Sequence, residues 1–267
     1  MRRLSVGRQE SSLRDRLMRE QEFYDELVVE GSTSRTLLDR FSRGFYEKGG
    51  KGRLWGPMWK SMDLHGVSVL DYGCGNGEFT RVLAERGARV VGIDISPKLI
   101  EQARISAAKM GLNGSCPQFM VGDAHHTPFA DNTFNYVVGN GALHHLDLEI
   151  AYSEVARVLK PGGKALFMEP MYHHPILWML RRLTPNAHSA DERPLSFEDM
   201  AKARKWFRAC SHREHFLLSV CFAPVHLLGP RITLAVLGAV DRFDQLLMCM
   251  IPPLRRFAWL AMLEMEK

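Results

Sequence analysis

The chain has 267 residues, room for one large α/β domain with appendages, because single cores stop growing near about 250–300 residues. Hydrophobic residues make up 46% and charged residues 24%, an ordinary globular balance that excludes a wholly disordered chain. The formal charge of +5 and pI near 9.0 suit an anionic partner but are common on soluble enzymes, so they make no case for nucleic acid. The five cysteines (Cys74, Cys116, Cys210, Cys221, Cys249) are odd in number and scattered, and the arginine-rich start lacks the apolar core of a secretory signal. A reduced, cytoplasmic protein is the expectation.

In chain order, residues 1–20 carry six arginines, with Leu13 and Leu17 on one helix face, and read as a frayed basic start leading into a helix. From Gln21 to Tyr46 apolar residues recur at helical spacing (Phe23, Tyr24, Leu27, Val28, then Leu37, Leu38, Phe41, Phe45, Tyr46), broken at Gly31-Ser32. Two helices fit, placed as a lid. Residues 67–170 then alternate strands (67–71, 89–93, 117–121, 134–139, 164–169) with helices (77–86, 97–110, 148–159). That rhythm predicts a parallel sheet covered by helices on both faces. Ser96-Pro97 suits a capped helix start, and Lys160-Pro161-Gly162-Gly163 a helix end turning into the next strand.

After Pro170 the rhythm fails. An amphipathic piece (Ile176 to Leu183), a polar loop (Thr184 to Pro194) and a basic helix (Phe197 to Cys210) read as an insertion over the sheet. Phe216 to Phe222 and Phe257 to Met265 are expected as strands, with an apolar helix, Leu227 to Met250, between them. Charges and Pro230 interrupt that helix, so no run reaches the roughly 18–20 residues that span a bilayer. A membrane-surface contact stays open.

The pattern that carries chemistry is Val69-Leu70-Asp71-Tyr72-Gly73-Cys74-Gly75-Asn76-Gly77, a strand breaking into a loop with alternating glycines, followed by Val90-Val91-Gly92-Ile93-Asp94. Glycines let backbone approach a ligand, and a carboxylate after the second strand can accept from ribose hydroxyls. A dinucleotide loop wants its third glycine one residue later, where Glu78 stands, and has no Asp71 before it.

With Val121-Gly122-Asp123-Ala124, Phe134 to Val138, and Leu159 to Gly163 following in order, the chain resembles the class I S-adenosylmethionine-dependent methyltransferases over residues 65–170. It is similar to their small-molecule branch, which includes the ubiquinone and menaquinone biosynthesis enzymes. The resemblance implies a Rossmann-like, seven-stranded, mostly parallel α/β sheet. It implies a lid over 1–52, a cofactor-binding core over 53–170, and a cap inserted after the fifth strand within 171–267. The implied cofactor is S-adenosyl-L-methionine, with S-adenosyl-L-homocysteine as product. Asp71, Gly73, Gly75, Asn76 and Gly77 would hold its amino-acid end. Asp94 would take the ribose, Ile95 would lie on adenine, Asp123 and Ala124 would read the adenine edge, and Asn140 would lie near the sulfonium. Tyr72 departs from the small or aliphatic residue usual there.

Methyl transfer from a sulfonium is an in-line displacement that rests on alignment, and a base matters only if the acceptor holds a proton. Candidates past the strand ends are His144, His145 and Glu169, with Tyr172, His173 and His174 in the cap. No structural zinc site is expected, and a magnesium ion held partly by an anionic substrate stays open. Adjacent histidines are taken to point apart, and Cys210-x-His212-x-x-His215 lacks a second pair at zinc-finger spacing. Residues 171–215 carry eight Lys/Arg against five acids, ahead of an apolar stretch, which suits a hydrophobic acceptor with an anionic head. Quinone-like polyketides, isoprenoids and prenyl phosphates fit that description, unless the charges are simply a solvated face. The rival functions are a nucleic-acid methyltransferase, for which no base-amine motif or RNA-binding module is present, and a membrane-surface cofactor-binding subunit.

Overall fold

In a computed structural model the described residues are 2–29, 54–55, 62–109, 117–183, 188–219, 221–222 and 230–267. Seven strands form one sheet: β1 Ser68–Tyr72, β2 Arg89–Asp94, β3 Gln118–Val121, β4 Phe134–Asn140, β5 Leu159–Pro170, β6 Ala209–His215 and β7 Leu260–Glu266. Their spatial order is β3-β2-β1-β4-β5-β7-β6. Strands β1 to β5 pair in parallel, and β7 inserts antiparallel between β5 and β6. The chain runs outward from β1 in both directions, so a crevice opens at the carboxyl ends of β1 and β4, where ligands bind in open α/β sheets.

β1 is central and its residues Val69 to Tyr72 are buried, as expected of a strand covered on both faces. On one face Leu70, Tyr72, Val137 and Phe167 pack with Tyr152 and Val155 of the helix Leu148–Val158. Asp147 caps that helix by accepting from the amides of Glu149 and Ile150. On the other face Val69, Val138, Leu166 and Met168 pack with Leu83, Trp55 and Phe216. A third cluster, Cys74, Ile100, Ala103, Ala107 and Phe119, seats the helix Pro97–Lys109 against β3.

The N-terminal helix, Arg2–Val29, is continuous through the stretch read as frayed. The second lid helix, over Leu37 to Tyr46, and Cys116 fall outside the described residues. Two readings beyond β5 are corrected. The basic helix Phe197 to Cys210 is only Phe197–Ala201 with a 3-10 turn, Lys202–Lys205, and the chain then enters β6. Ala209 to His215 alternates in exposure along an edge strand, a period that its charged residues conceal in the sequence. The strand expected at Phe216 to Phe222 does not form, because Phe216 takes φ 64° and breaks the ladder. The carboxylate of Asp244 instead accepts from the amides of Leu217, Leu218 and Ser219. The Lys160 to Gly163 turn lies inside β5 as an irregularity, with Gly162 at φ 75°. Among the described residues no helix is long and apolar enough to cross a membrane.

Candidate functional site

The glycine loop leaves β1 with Gly73, Gly75 and Gly77 all at positive φ. Two of these positions also lack space: a Cβ on Gly73 would lie 2.8 Å from that of Ala142, and one on Gly77 2.6 Å from the Phe119 ring. A Cβ on Gly75 would meet nothing within 4 Å, so this part of the loop fronts open space. The Gly75 amide donates to Asp94 Oδ2 at 2.8 Å, which brings the loop and the end of β2 to one place. The other Asp94 oxygen accepts from Ser96 at 3.0 Å, and Ser96 also bonds the carboxylate of Asp25 on the N-terminal helix. Burial raises the Asp94 pKa against the opposing pull of those amides.

Asp71 is 2% exposed, and its Oδ2 accepts from the Thr80 hydroxyl at 2.5 Å. The amide of Gly73, expected to face the cofactor, donates instead to the Ile93 carbonyl at 2.9 Å. Asn76 is exposed, its side chain accepting from the Glu78 amide, and Ile95 is half-buried. Asp123 accepts from the backbone and ring of His125, both at 2.8 Å. Those bonds outweigh burial and lower its pKa. The Ala124 carbonyl accepts from the Tyr72 hydroxyl, so the residue that departs from the usual pattern fastens the loop after β3 to β1.

Beyond β4, Asn140 Oδ1 accepts from the Trp55 indole at 3.4 Å. Glu169, fully buried at the end of β5, accepts through Oε1 from the amides of Ala142 and Leu143 at 2.9 Å. Its Oε2 lies 2.7 Å from His144 Nδ1. Burial pushes the His144 imidazole down, but its bonds to Glu169 and Glu192 win and raise it to about 9. His145 goes the other way, lowered by burial and by the charge on His144. The two rings lie 4.0 Å apart, centroid to centroid. The expectation that adjacent histidines point apart is therefore corrected: on the 3-10 turn Leu143–His145 both rings are held in one cluster by their carboxylate partners. Around them stand Glu20 and Tyr24 of the N-terminal helix and Glu192 of the cap. His173 and His174 do not join this group: His174 bonds the Leu217 carbonyl, and Tyr172 packs edge-on to His173. Of the Cys210, His212 and His215 set, His212 pairs with Glu214, and His215 lies 3.6 Å from Asp241.

Sequence reading missed Trp55, Thr80, Ser96, Glu20, Tyr24 and Glu192. Only Ser96 and Thr80 carried a local signal, as a helix cap and as the first turn after the glycine loop. The cap's basic residues are largely engaged. Arg181 pairs with Glu192, Lys202 with Asp199, Lys205 with Glu149 and Arg208 with Glu266.

Residues 70–167 match the family model described as a methyltransferase domain. Over 117 residues the chain is 38% identical to an uncharacterized methyltransferase of Synechocystis, covering 43% of this chain and 51% of that one. Over 123 residues it is 37% identical to the ubiquinone/menaquinone biosynthesis C-methyltransferase of Haemophilus ducreyi, covering 42% and 47%. The chain thus spans about half the length of these curated relatives. Phosphoethanolamine N-methyltransferase 2 of Haemonchus contortus, solved with phosphomonomethylethanolamine and S-adenosylhomocysteine, shares the fold with a TM-score of 0.63 at 17% identity. The match covers 92% of this chain and 59% of that one.

Proposed function

We propose that this chain, a class I S-adenosylmethionine-dependent methyltransferase by its domain at residues 70–167, methylates a carbon, oxygen or nitrogen atom of a hydrophobic small molecule. One observation carries the reading: the open loop at Gly75, beyond the carboxyl end of β1, meets the Asp94 carboxylate at the carboxyl end of β2. When bound, the cofactor supplies an electrophilic methyl group on a sulfonium, for a displacement that rests on alignment. Asp94 offers its carboxylate to the ribose diol, and the Gly75 amide it now holds becomes a donor for the cofactor's carboxylate. Asp71 supplies negative charge beneath the ammonium, Asn76 and Gly77 complete the loop, and Ile95 packs on adenine. Asp123 and Ala124 face the adenine edge. Asn140, steadied by Trp55, lies on the acceptor side.

Glu169 acts as a positioning residue, since its oxygens are occupied by two amides and the His144 ring. His145, whose pKa is lowered by burial and by the charge on the neighbouring His144, is the group that would take an acceptor's proton. The C-methyltransferase and N-methyltransferase relatives support a small acceptor and leave its reacting atom open. A quinone-, polyketide- or isoprenoid-like body is favoured by the exposed apolar surface of the cap. The helix Pro175–Leu183 buries none of its residues and exposes Trp178, Met179 and Leu183. Along Pro230–Met250, Ile232, Phe243, Leu246 and Met250 stand out at helical spacing, Met250 being 78% exposed. With the exposed Arg182, Arg242 and Arg256, these stripes support contact with an anionic membrane surface, from which such an acceptor would be drawn.

The test is transfer of labelled methyl from S-adenosylmethionine to a panel of quinols, prenylated phenols and prenyl phosphates. Solvent-extractable labelled product is expected. Label in RNA alone, or in nothing despite cofactor binding, contradicts the reading. Flotation with anionic liposomes checks the membrane contact, which fails if the protein stays at the bottom of the gradient.

A further inference from the structure

Four side chains from three separate stretches of chain converge beside the turn that follows β4. One ligand atom each from His144, His145 and Glu192 lies within 4.8 Å of the others. Glu20, on the N-terminal helix and 4% exposed, places Oε2 3.2 Å from His145 Nδ1. Neither of those two buried atoms has a hydrogen-bond partner. A buried polar atom left unbonded costs about 1–3 kcal/mol, and native structures keep few of them.

The outer contacts are already those of metal-binding histidines. His144 gives Nδ1 to the Glu169 carboxylate at 2.7 Å and presents Nε2 to the Glu192 carboxylate at 3.5 Å. His145 lies 2.9 Å from the Tyr24 hydroxyl through Nε2 and presents Nδ1 to Glu20. A carboxylate or hydroxyl on one ring nitrogen fixes the tautomer and frees the other for an ion. Glu20 is held from behind by Ser189 at 2.5 Å, and Glu192 by Arg181 at 2.6 Å and His188 at 3.3 Å. Arg16 donates to the His145 carbonyl at 2.8 Å, and the Arg193 amide to that of His144, also at 2.8 Å.

We propose that His144, His145, Glu192 and Glu20 form a mononuclear site for a divalent transition-metal ion of the zinc type. Two imidazoles and two carboxylates suit zinc, cobalt or ferrous iron, whereas magnesium and calcium favour all-oxygen sets. Because the ligands come from the N-terminal helix, the turn after β4 and the cap, the ion clasps the helix onto the core. That clasp adds to the Asp25 to Ser96 bond at the next turns of the helix. The site stands independently of the methyl-transfer reading. Where both hold, His144 and His145 are ligands and do not take the acceptor's proton.

The test is titration of the chelator-stripped full chain with Zn²⁺ by calorimetry, and with Co²⁺ by visible absorption. One equivalent is expected, with the d–d bands of nitrogen and oxygen ligands. His145→Ala and Glu192→Ala should each weaken binding more than about 100-fold, and the outer Tyr24→Phe about tenfold. Glu20→Gln removes a ligand charge while keeping the side chain's shape, and guards against misfolding of the alanine variants. The exposed His126→Ala should bind as the parent does. No saturable equivalent, or binding unchanged in both His145→Ala and Glu20→Gln, overturns the site. S-adenosylhomocysteine binding by the same stripped protein would then leave the methyltransferase reading in place.

Discussion

On the β1 to β3 side of the sheet, the carboxylates are held by near neighbours in sequence. Thr80 is 9 residues from Asp71, Gly75 is 19 from Asp94, and Ser96 and His125 are each 2 from their aspartates. On the β4 to β5 side the partners are remote: Tyr24 and Arg16 reach His145 across 121 and 129 residues, and Ser189 reaches Glu20 across 169. The β1 to β3 half is thus written as a local motif that any suitable sheet can carry. The β4 to β5 half exists only once the N-terminal helix and the cap have folded over the core.

That contrast is broken most severely at Glu169, which holds the remote half together. Glu169→Ala strips a buried acceptor from two amides and an imidazole and should cost about 3–5 kcal/mol, lowering Tm by roughly 10 °C in calorimetry. Asp94→Ala attacks the local half. It should weaken S-adenosylhomocysteine binding by about 3 kcal/mol, roughly 100-fold, while Tm moves little. Were Glu169→Ala to lose cofactor affinity as sharply as Asp94→Ala does, the two halves would not be separable. Tyr72→Phe removes only the hydroxyl that holds the Ala124 carbonyl, and should cost about 1 kcal/mol in urea unfolding.

The smallest effect belongs to Glu154, which bonds Thr127 and the guanidinium of Arg157. Burial opposes its charge, but those partners win and hold its pKa below the usual carboxylate value. Its stabilisation is full above the unfolded pKa of about 4.3 and is lost as pH falls through the lower folded value. Glu154→Gln should flatten the acid limb of the stability curve by less than about 1 kcal/mol, since Arg157 is 33% exposed.

The sheet from β1 to β5 was legible because apolar runs and glycine turns recur there at a regular interval, and the order of motifs then gave the resemblance that the methyltransferase-domain match over 70–167 repeats. Beyond Pro170 legibility fell for identifiable reasons. β6 is an edge strand whose exposed positions carry Ser211 and Arg213, so its charges mimic a helix face. Phe216 is apolar enough to continue a strand, yet its backbone turns left-handed to reach a pocket lined with Trp259 and Leu260. In the candidate site, Asp71, Asp94 and Asp123 drew attention by lying at or just beyond the ends of strands. Glu20 and Glu192 were not, since a lone glutamate on a charged helix or polar loop carries no signal until a partner far along the chain arrives. The pairing of His144 with His145 was missed for a smaller reason: both rings are drawn into one cluster by Glu169, Glu192, Glu20 and Tyr24, partners that adjacency in the sequence does not reveal.

The central claim is that the crevice fronted by Gly75 and Asp94 binds the methyl donor. Calorimetric titration of the purified chain with S-adenosylhomocysteine tests it most directly. One saturable site per chain, competed by S-adenosylmethionine and lost in Asp94→Ala, is the predicted result. The absence of saturable binding, or full affinity in Asp94→Ala, would contradict it.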